Sequence, residues 1–192
     1  MSSDQLIGDS PVARALDEEI RLAARSDAKI LITGESGVGK EVVARLIHAR
    51  GSRAFFPLVT INCAGVPDTL LESEFFGHVR GSFTGAYRDR PGFLEKADRG
   101  TVFLDEIGEM SLRLQGLLLR FLETGEIQRV GSALSDRRVN VRVIAASNRD
   151  LEGEVEKGTF RGDLFYRLNV IRMKEPPLRV RVEDVPLVVR HF

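Results

Sequence analysis

The run Gly34-Glu35-Ser36-Gly37-Val38-Gly39-Lys40 follows an apolar stretch, KILIT at residues 29–33. It precedes residues 41–49, whose Val42, Val43, Leu46 and Ile47 fall on one side of a helix. A short buried strand, a glycine-rich turn and a helix in that order is the context a phosphate-binding loop requires. Glycines let successive backbone N–H groups curl round phosphate oxygens, and the helix N-terminus adds partial positive charge. Lys40 places a point charge where β- and γ-phosphates would lie. A glycine-rich loop alone is often an ordinary turn; the full spacing, the lysine and the flanking strand and helix together argue against that here. One position departs from the general pattern. Glu41 stands where Ser or Thr normally offers Mg²⁺ a hydroxyl, so metal coordination at that point must differ.

The rest of the chain continues the alternation. Residues 58–62 and 101–105 read as buried strands, with two more at 139–146 and 168–173. Residues 68–76 read as a helix capped by Asp68 after Pro67, and residues 111–123 as another, with Leu114, Leu117, Leu118, Phe121 and Leu122 at helical spacing. Gly116 weakens that helix by about 1 kcal/mol relative to Ala. Pro176-Pro177 breaks the chain before a last helix from 182 to 192. This predicts an α/β domain with a five-stranded parallel sheet covered by helices on both faces. The 192 residues suit one such domain. Lys plus Arg and Asp plus Glu both number 28, so no basic field exists to hold nucleic acid through phosphates alone. Cys63 is the single cysteine, which excludes an internal disulfide and suits a reducing cytosol. It reads as a small buried hydrophobe. The start at residues 1–4 lacks the basic and apolar pattern of a signal segment, and no apolar run reaches membrane-spanning length. A cytoplasmic protein without membrane contact is the expectation.

A second half of a hydrolysis site follows at Gly100-Thr101-Val102-Phe103-Leu104-Asp105-Glu106. Adjacent residues of a strand point opposite ways, so its two terminal carboxylates can do different jobs. Asp105 is the candidate for holding Mg²⁺, and Glu106 the candidate general base toward an attacking water. Ser147 and Asn148 end the fourth strand, at the edge where parallel sheets gather ligands. Asn148 is placed to meet a γ-phosphate or the attacking water. Asn62 ends the second strand; it either holds Glu106 in an idle position or is a turn residue. Arg161 and Arg167 lie six apart, off one clean helical face. They suit charge stabilisation at a phosphoryl group, but nothing in their spacing shows that they act on this chain's own site, and taken alone a pair of surface ion-pair arginines is the favoured reading.

Between the two halves lies Gly81-Ser82-Phe83-Thr84-Gly85-Ala86. It brings nothing to nucleotide chemistry. A glycine-bracketed segment with one aromatic and one hydroxyl looks like a mobile finger built to touch a partner.

These motifs together resemble the AAA+ domain of the sigma-54-dependent transcriptional activators, the nitrogen-regulator type of bacterial enhancer-binding protein. The resemblance runs from Leu6-Ile7-Gly8 to the chain end. It rests on GESGVGKE at 34–41, INCAG at 61–65, ESEFFGH at 72–78, GSFTGA at 81–86, GTVFLDEIGEM at 100–110, ASNRDL at 146–151, FRGDLFYRLNV at 160–170 and PPLR at 176–179. It implies a P-loop NTPase core that binds ATP with Mg²⁺, assembles into rings, commonly hexamers, and hydrolyses ATP between subunits. Glu41 is usual in that family. By resemblance, residues 34–41 and Ile7 contact ATP, Asp105 and Glu106 form the Mg²⁺ and hydrolysis pair, and Asn62 switches Glu106. Ser147 and Asn148 sense the γ-phosphate, and Arg161 and Arg167 reach a neighbouring subunit's ATP. The family's GAFTGA loop contacts sigma-54 in RNA polymerase holoenzyme. Here Ser82 replaces its Ala, while Phe83 and Thr84 match. Gly162 replaces a helix-friendly residue beside Arg161. Residues 1–192 are expected to be the core subdomain only, without receiver, helical lid or DNA-binding domain, so that DNA is met through a domain absent here. Other readings are a repressor of related architecture and a AAA+ remodeller of a different client. The near-intact loop weighs against the repressor.

Overall fold

The computed structural model describes residues 6–133 and 137–191. Five strands, β1 Ile30–Thr33, β2 Leu58–Asn62, β3 Thr101–Asp105, β4 Arg142–Ser147 and β5 Ile171–Lys174, form one sheet in the order β2-β3-β4-β1-β5. All four pairings are parallel. The sheet is buried on both faces, and the side-chain alternation of its strands divides two cores. Leu31, Val102, Leu104, Val143 and Ala145 pack on one side; Ile30, Ile32, Phe103, Ile144 and Ala146 pack on the other.

Helices α1 Pro11–Ala24 and α2 Lys40–Ala49 cover the second face through Leu16, Ile20, Val43, Leu46 and Ile47. Helices α3 Asp68–Phe76, α4 Phe93–Lys96, α5 Leu112–Thr124, α6 Leu151–Glu156 and α7 Gly162–Leu168 serve the first. Helix α8 Val185–His191 ends the described chain. Each of these apolar side chains contributes about 1.5–3 kcal/mol by leaving water.

Helix α1 was not anticipated, although its start is well marked. Ser10 is the N-cap, its hydroxyl accepting the Ala13 N–H at 3.1 Å, and Pro11 occupies the first turn, where its missing N–H costs nothing. The cap of α3 is Pro67 rather than Asp68, which lies inside the first turn; the Pro67 carbonyl accepts the Leu70 and Leu71 N–H groups. Strand β4 begins at Arg142, not at 139, because the chain before it serves a side ladder. Residues 137–138 pair antiparallel with 126–127, and the Val139 N–H donates to Gly125. Strand β5 begins at Ile171, not at 168: Leu168 is buried with Leu164 at i, i+4 spacing and closes α7. After a 3₁₀ turn at Val182–Asp184 the last helix starts at Val185. Phe192 and residues 1–4 lie outside the described residues.

Candidate functional site

The C-terminal ends of β1, β3 and β4 bring the site together. Register aligns Thr33 with Ser147, and the Gly34 N–H donates to the Ser147 carbonyl at 3.3 Å. The loop turns into α2 at Gly39, whose φ of 114° is closed to most side chains. Lys40, 5 % exposed, folds back into the loop. Its ammonium donates to the carbonyls of Gly34 and Glu35, each at 3.0 Å, and to Glu106 Oε1 at 3.3 Å. That uses all three of its donors.

Asp105 ends β3, and Glu106 follows with a left-handed φ of 51°. A non-glycine residue in that region costs about 1–3 kcal/mol and marks a backbone held for a purpose. The twist sends the Glu106 carboxylate toward both neighbouring elements. Oε1 meets Lys40, and Oε2 accepts the Asn148 N–H at 3.1 Å. Burial, with the Glu106 carboxylate beside it, raises the Asp105 carboxyl above its usual range, while Lys40 pulls it back. Asp105 Oδ1 accepts the Glu106 N–H at 3.0 Å. A single strand-end carboxylate beside a phosphate loop fits Mg²⁺, which binds through one or two carboxylates, phosphate oxygens and water. Among the described residues no cluster of three or more metal-ligating side chains forms.

The remaining candidates divide. Ser147 is buried, and its hydroxyl accepts the Arg149 N–H at 3.1 Å. Asn62 does not join Glu106. Its side-chain oxygen accepts the Ala64 N–H at 2.8 Å, the turn arrangement open in the sequence. Glu41 is exposed and pairs with Arg45 at 2.7 Å, one helical turn on. Arg161 stands at the N-cap position of α7 without a side-chain cap bond and forks onto Asp163, at 3.0 and 2.8 Å; Gly162 begins that helix without breaking it. Arg167 is exposed on α7 and makes no hydrogen bond or ion pair among the described residues. Neither arginine contacts this chain's own Lys40 or Asp105. Cys63 is buried, and burial with the nearby Asp105 and Glu106 pushes its thiol up to about 12, which leaves it an inert core residue.

Beside the loop opens a cleft of about 610 Å³, with Ile7, Val38, Val42, Leu178 and Val188 among its walls. Its rim is tied by contacts the sequence reading missed. Arg179 forks onto the loop's Glu35. Asp184 accepts the Asp9 N–H at 2.8 Å, the Ser10 N–H at 2.9 Å and the Ser10 hydroxyl at 2.7 Å, which fastens the segment carrying Ile7. These partners are about 140 to 175 residues apart, so no local spacing announces them.

The segment 81–86 lies apart from this edge. It leaves the sheet side at residues 77–78, which pair antiparallel with 90–91. The Gly81 N–H donates to Ala86 at 2.8 Å and the Ala86 N–H to Phe83 at 3.0 Å, closing a compact turn. Thr84 is exposed; Phe83 is 43 % exposed, with its ring edge-on to His78 at 5.0 Å. His78 is buried and held by the Ser73 hydroxyl at 2.7 Å.

Residues 6–174 match the sigma-54 interaction domain. The chain belongs to that family. Its sigma-54 interaction domain is 53 % identical over 183 residues to the Nif-specific regulatory protein of Azotobacter vinelandii, covering 95 % of this chain and 35 % of that protein. It is 56 % identical over 188 residues to the anaerobic nitric oxide reductase transcription regulator NorR of Citrobacter koseri, covering 98 % and 37 %. The chain thus spans little more than a third of these relatives. The crystal structure of NtrX from Brucella abortus in complex with ADP superposes with a TM-score of 0.91 at 39 % identity, over 98 % of this chain and 41 % of that one. The fold is the P-loop NTPase core of the AAA+ class. Among the described residues no helix is long and apolar enough to cross a membrane.

Proposed function

We propose that this sigma-54 interaction domain binds and hydrolyses ATP with Mg²⁺ in a self-assembled ring, commonly a hexamer in this family, and uses residues 81–86 to engage sigma-54 RNA polymerase holoenzyme. The observation that carries the chemical part is the convergence of Lys40, Glu106 and Asn148, from three separate elements, at one edge of a parallel sheet. Mg²⁺, when bound, supplies charge neutralisation at the phosphates. Asp105 is the residue that would hold it. Lys40 exchanges the loop carbonyls and Glu106 Oε1 for phosphate oxygens, which opens Oε1 to take a proton from the attacking water. Asn148 holds Oε2 through its N–H and keeps the carboxylate aimed. Ile7 and Val42 in the cleft wall offer apolar surface to a nucleotide base.

Arg161 and Arg167 make no hydrogen bond or ion pair with Lys40, Asp105 or Glu106, and Arg167 is exposed without an ion pair among the described residues. A ring with a heterologous interface would bring them to the neighbour's phosphates. The turn 81–86 presents Thr84 and one face of Phe83 outward, as a partner contact requires.

The deciding experiment is an open-complex assay with sigma-54 holoenzyme and a sigma-54 binding assay with a transition-state analogue of hydrolysis, run on the chain and on Thr84→Ala. The substitution removes an exposed hydroxyl and methyl, so ATPase activity is expected to persist while sigma-54 binding is lost. Binding unchanged by Thr84→Ala would sink the loop assignment; activity on a different client in place of sigma-54 would favour another kind of remodeller.

A further inference from the structure

Glu175 follows β5 and is pinned there by its own N–H, which donates to the Thr33 carbonyl at 2.8 Å. Its side chain lies against the outer wall of the phosphate loop. A Cβ placed on Gly34 would stand 3.0 Å from the Glu175 Cβ and 3.0 Å from its carbonyl oxygen; one placed on Gly39 would stand 3.6 Å from Oε1. Glu175 is 2 % exposed and lines the cleft beside Val42 and Leu178. Among the described residues its one side-chain hydrogen bond is long, Oε1 to Arg181 at 3.5 Å, and Oε2 has no partner. Arg181 is itself buried, with Nε unpartnered. A carboxylate so enclosed and so poorly paired is costly as an anion.

The charged groups around it come from three directions. Lys40 faces it from α2 and Arg181 from the turn after Pro177. Asp184 feels the Arg181 charge, and the Glu35–Arg179 pair stands exposed on the loop.

We propose that Glu175 is a positioning residue of the nucleotide site: it braces the outer wall of the phosphate loop and takes a proton from solvent onto its carboxylate when a nucleotide's phosphates enter, so that occupancy of the cleft is coupled to pH. This rests on the nucleotide reading above.

Burial pushes the Glu175 carboxyl up to about 7, against the pull of Arg181 and Lys40. Phosphate oxygens at the loop offset the Lys40 charge and add negative charge close by, so the carboxyl holds its proton more tightly in the occupied site. A group that binds protons more strongly in the complex makes the complex weaker as pH rises through its free-state value. The affected window therefore opens near neutrality. The proton comes from the buffer acid, and an O–H bond forms on the carboxylate; nothing else in the balance changes.

Calorimetric titration with ADP in two buffers of different ionisation enthalpy, at pH 6, 7 and 8, reads this directly. ADP avoids turnover, and Glu175→Gln, the same size and permanently neutral, supplies the baseline set by the nucleotide's own titration. The wild-type chain is expected to take up more protons than the variant at pH 7 to 8, and its ADP affinity relative to that of the variant to fall about fivefold from pH 6 to pH 8. Glu175→Gln loses that excess. Arg181→Gln removes a charge that favours the Glu175 anion, so the carboxyl holds its proton to higher pH before ADP arrives and the excess at pH 7 shrinks as well. Equal proton uptake by wild type and Glu175→Gln overturns the proposal while leaving nucleotide binding intact. Should the variants fail to fold, the wild-type infrared difference spectrum decides. A protonated carboxylic-acid band that appears on adding ADP supports the proposal, and its absence overturns it. No ADP binding at any pH overturns the nucleotide reading, and this inference with it.

Discussion

At the edge of the sheet, Lys40, Glu106 and Asn148 arrive from α2, the end of β3 and the end of β4. Asp184 reaches back more than 170 residues to hold Asp9 and Ser10. The turn at 81–86 is made otherwise. Its hydrogen bonds run between Val79 and Tyr87, and its packing outside that span includes His78 beneath Phe83 and Gly131 beneath Ser82. The first region takes its geometry from the register of the whole sheet and from such long-range ties, so a conservative substitution at Glu106 removes chemistry and leaves the frame standing. The second takes its geometry from a few local bonds on a small supporting surface. Substitutions there should move or free the turn without disturbing the edge.

The largest effect belongs to Glu106→Gln. The amide keeps the size of the side chain and still has an oxygen for the Asn148 N–H, but it cannot accept a proton from water. Nucleotide binding should survive while phosphate release falls about 10²–10⁴-fold, the range for removing a general base. Turnover close to wild type would break the assignment and move the base elsewhere. Next is Asp184→Asn. One carboxylate serves three donors through two oxygens, and the amide puts an NH₂ in place of one of those oxygens, so about 1–3 kcal/mol of stability should be lost, read from denaturant midpoints. Burial opposes ionisation of Asp184, but the Ser10 and Asp9 donors outweigh it and hold the carboxyl below the ordinary 3.8. Its contribution is therefore complete above that value and lost as pH falls through the lower, folded one. The variant should accordingly show a smaller difference from wild type at low pH than at neutrality. A difference that does not shrink on acidification would separate Asp184 from the acid response.

How much of this was legible beforehand follows the same division. The loop 34–40 and the pair Asp105-Glu106 could be read because each lies at the junction of an apolar strand with its sequel, and residue order alone places them at one sheet edge. The strand at 139–146 was read too long because Val139 is apolar and buried while serving a different ladder. The one at 168–173 was set too early because Leu168 completes a helical i, i+4 pair. Asn62 was read toward Glu106, and its turn was the alternative; strand-end position does not decide which way a short amide bonds. Glu175, Arg181 and Asp184 carried no signal at all. They look like ordinary charged residues until the fold buries them, and only long-range packing does that.

Gly131→Ala probes the support of the turn. Gly131 has φ of 83°, and a Cβ there would stand 2.6 Å from the Ser82 Cβ. The left-handed backbone alone costs about 1–2 kcal/mol with a side chain, and the clash must push residue 82 off its seat. The expected result is a modest loss of stability, unchanged ADP affinity, and faster amide exchange confined to residues near 82. Weakened ADP affinity would mean that the two regions are coupled more tightly than their contacts indicate.

Ser82→Ala is the smallest change and the sharpest. The Ser82 hydroxyl is enclosed against Gly131 without a hydrogen-bond partner among the described residues. A buried hydroxyl left unpaired costs about 1–3 kcal/mol in desolvation, and replacing it by a methyl of similar shape is neutral or favourable. Because the residue is only half-buried, the gain should fall at or below the lower end of that range. The folded turn should therefore be as stable or slightly more stable in Ser82→Ala, with ADP affinity unchanged. If docking on Gly131 is the resting arrangement, tighter docking opposes release toward a partner, so the variant should bind sigma-54 no more strongly than the parent under limiting nucleotide. A variant that is less stable than the parent would show that the hydroxyl has a partner in solution, and the seat on Gly131 would need to be redrawn.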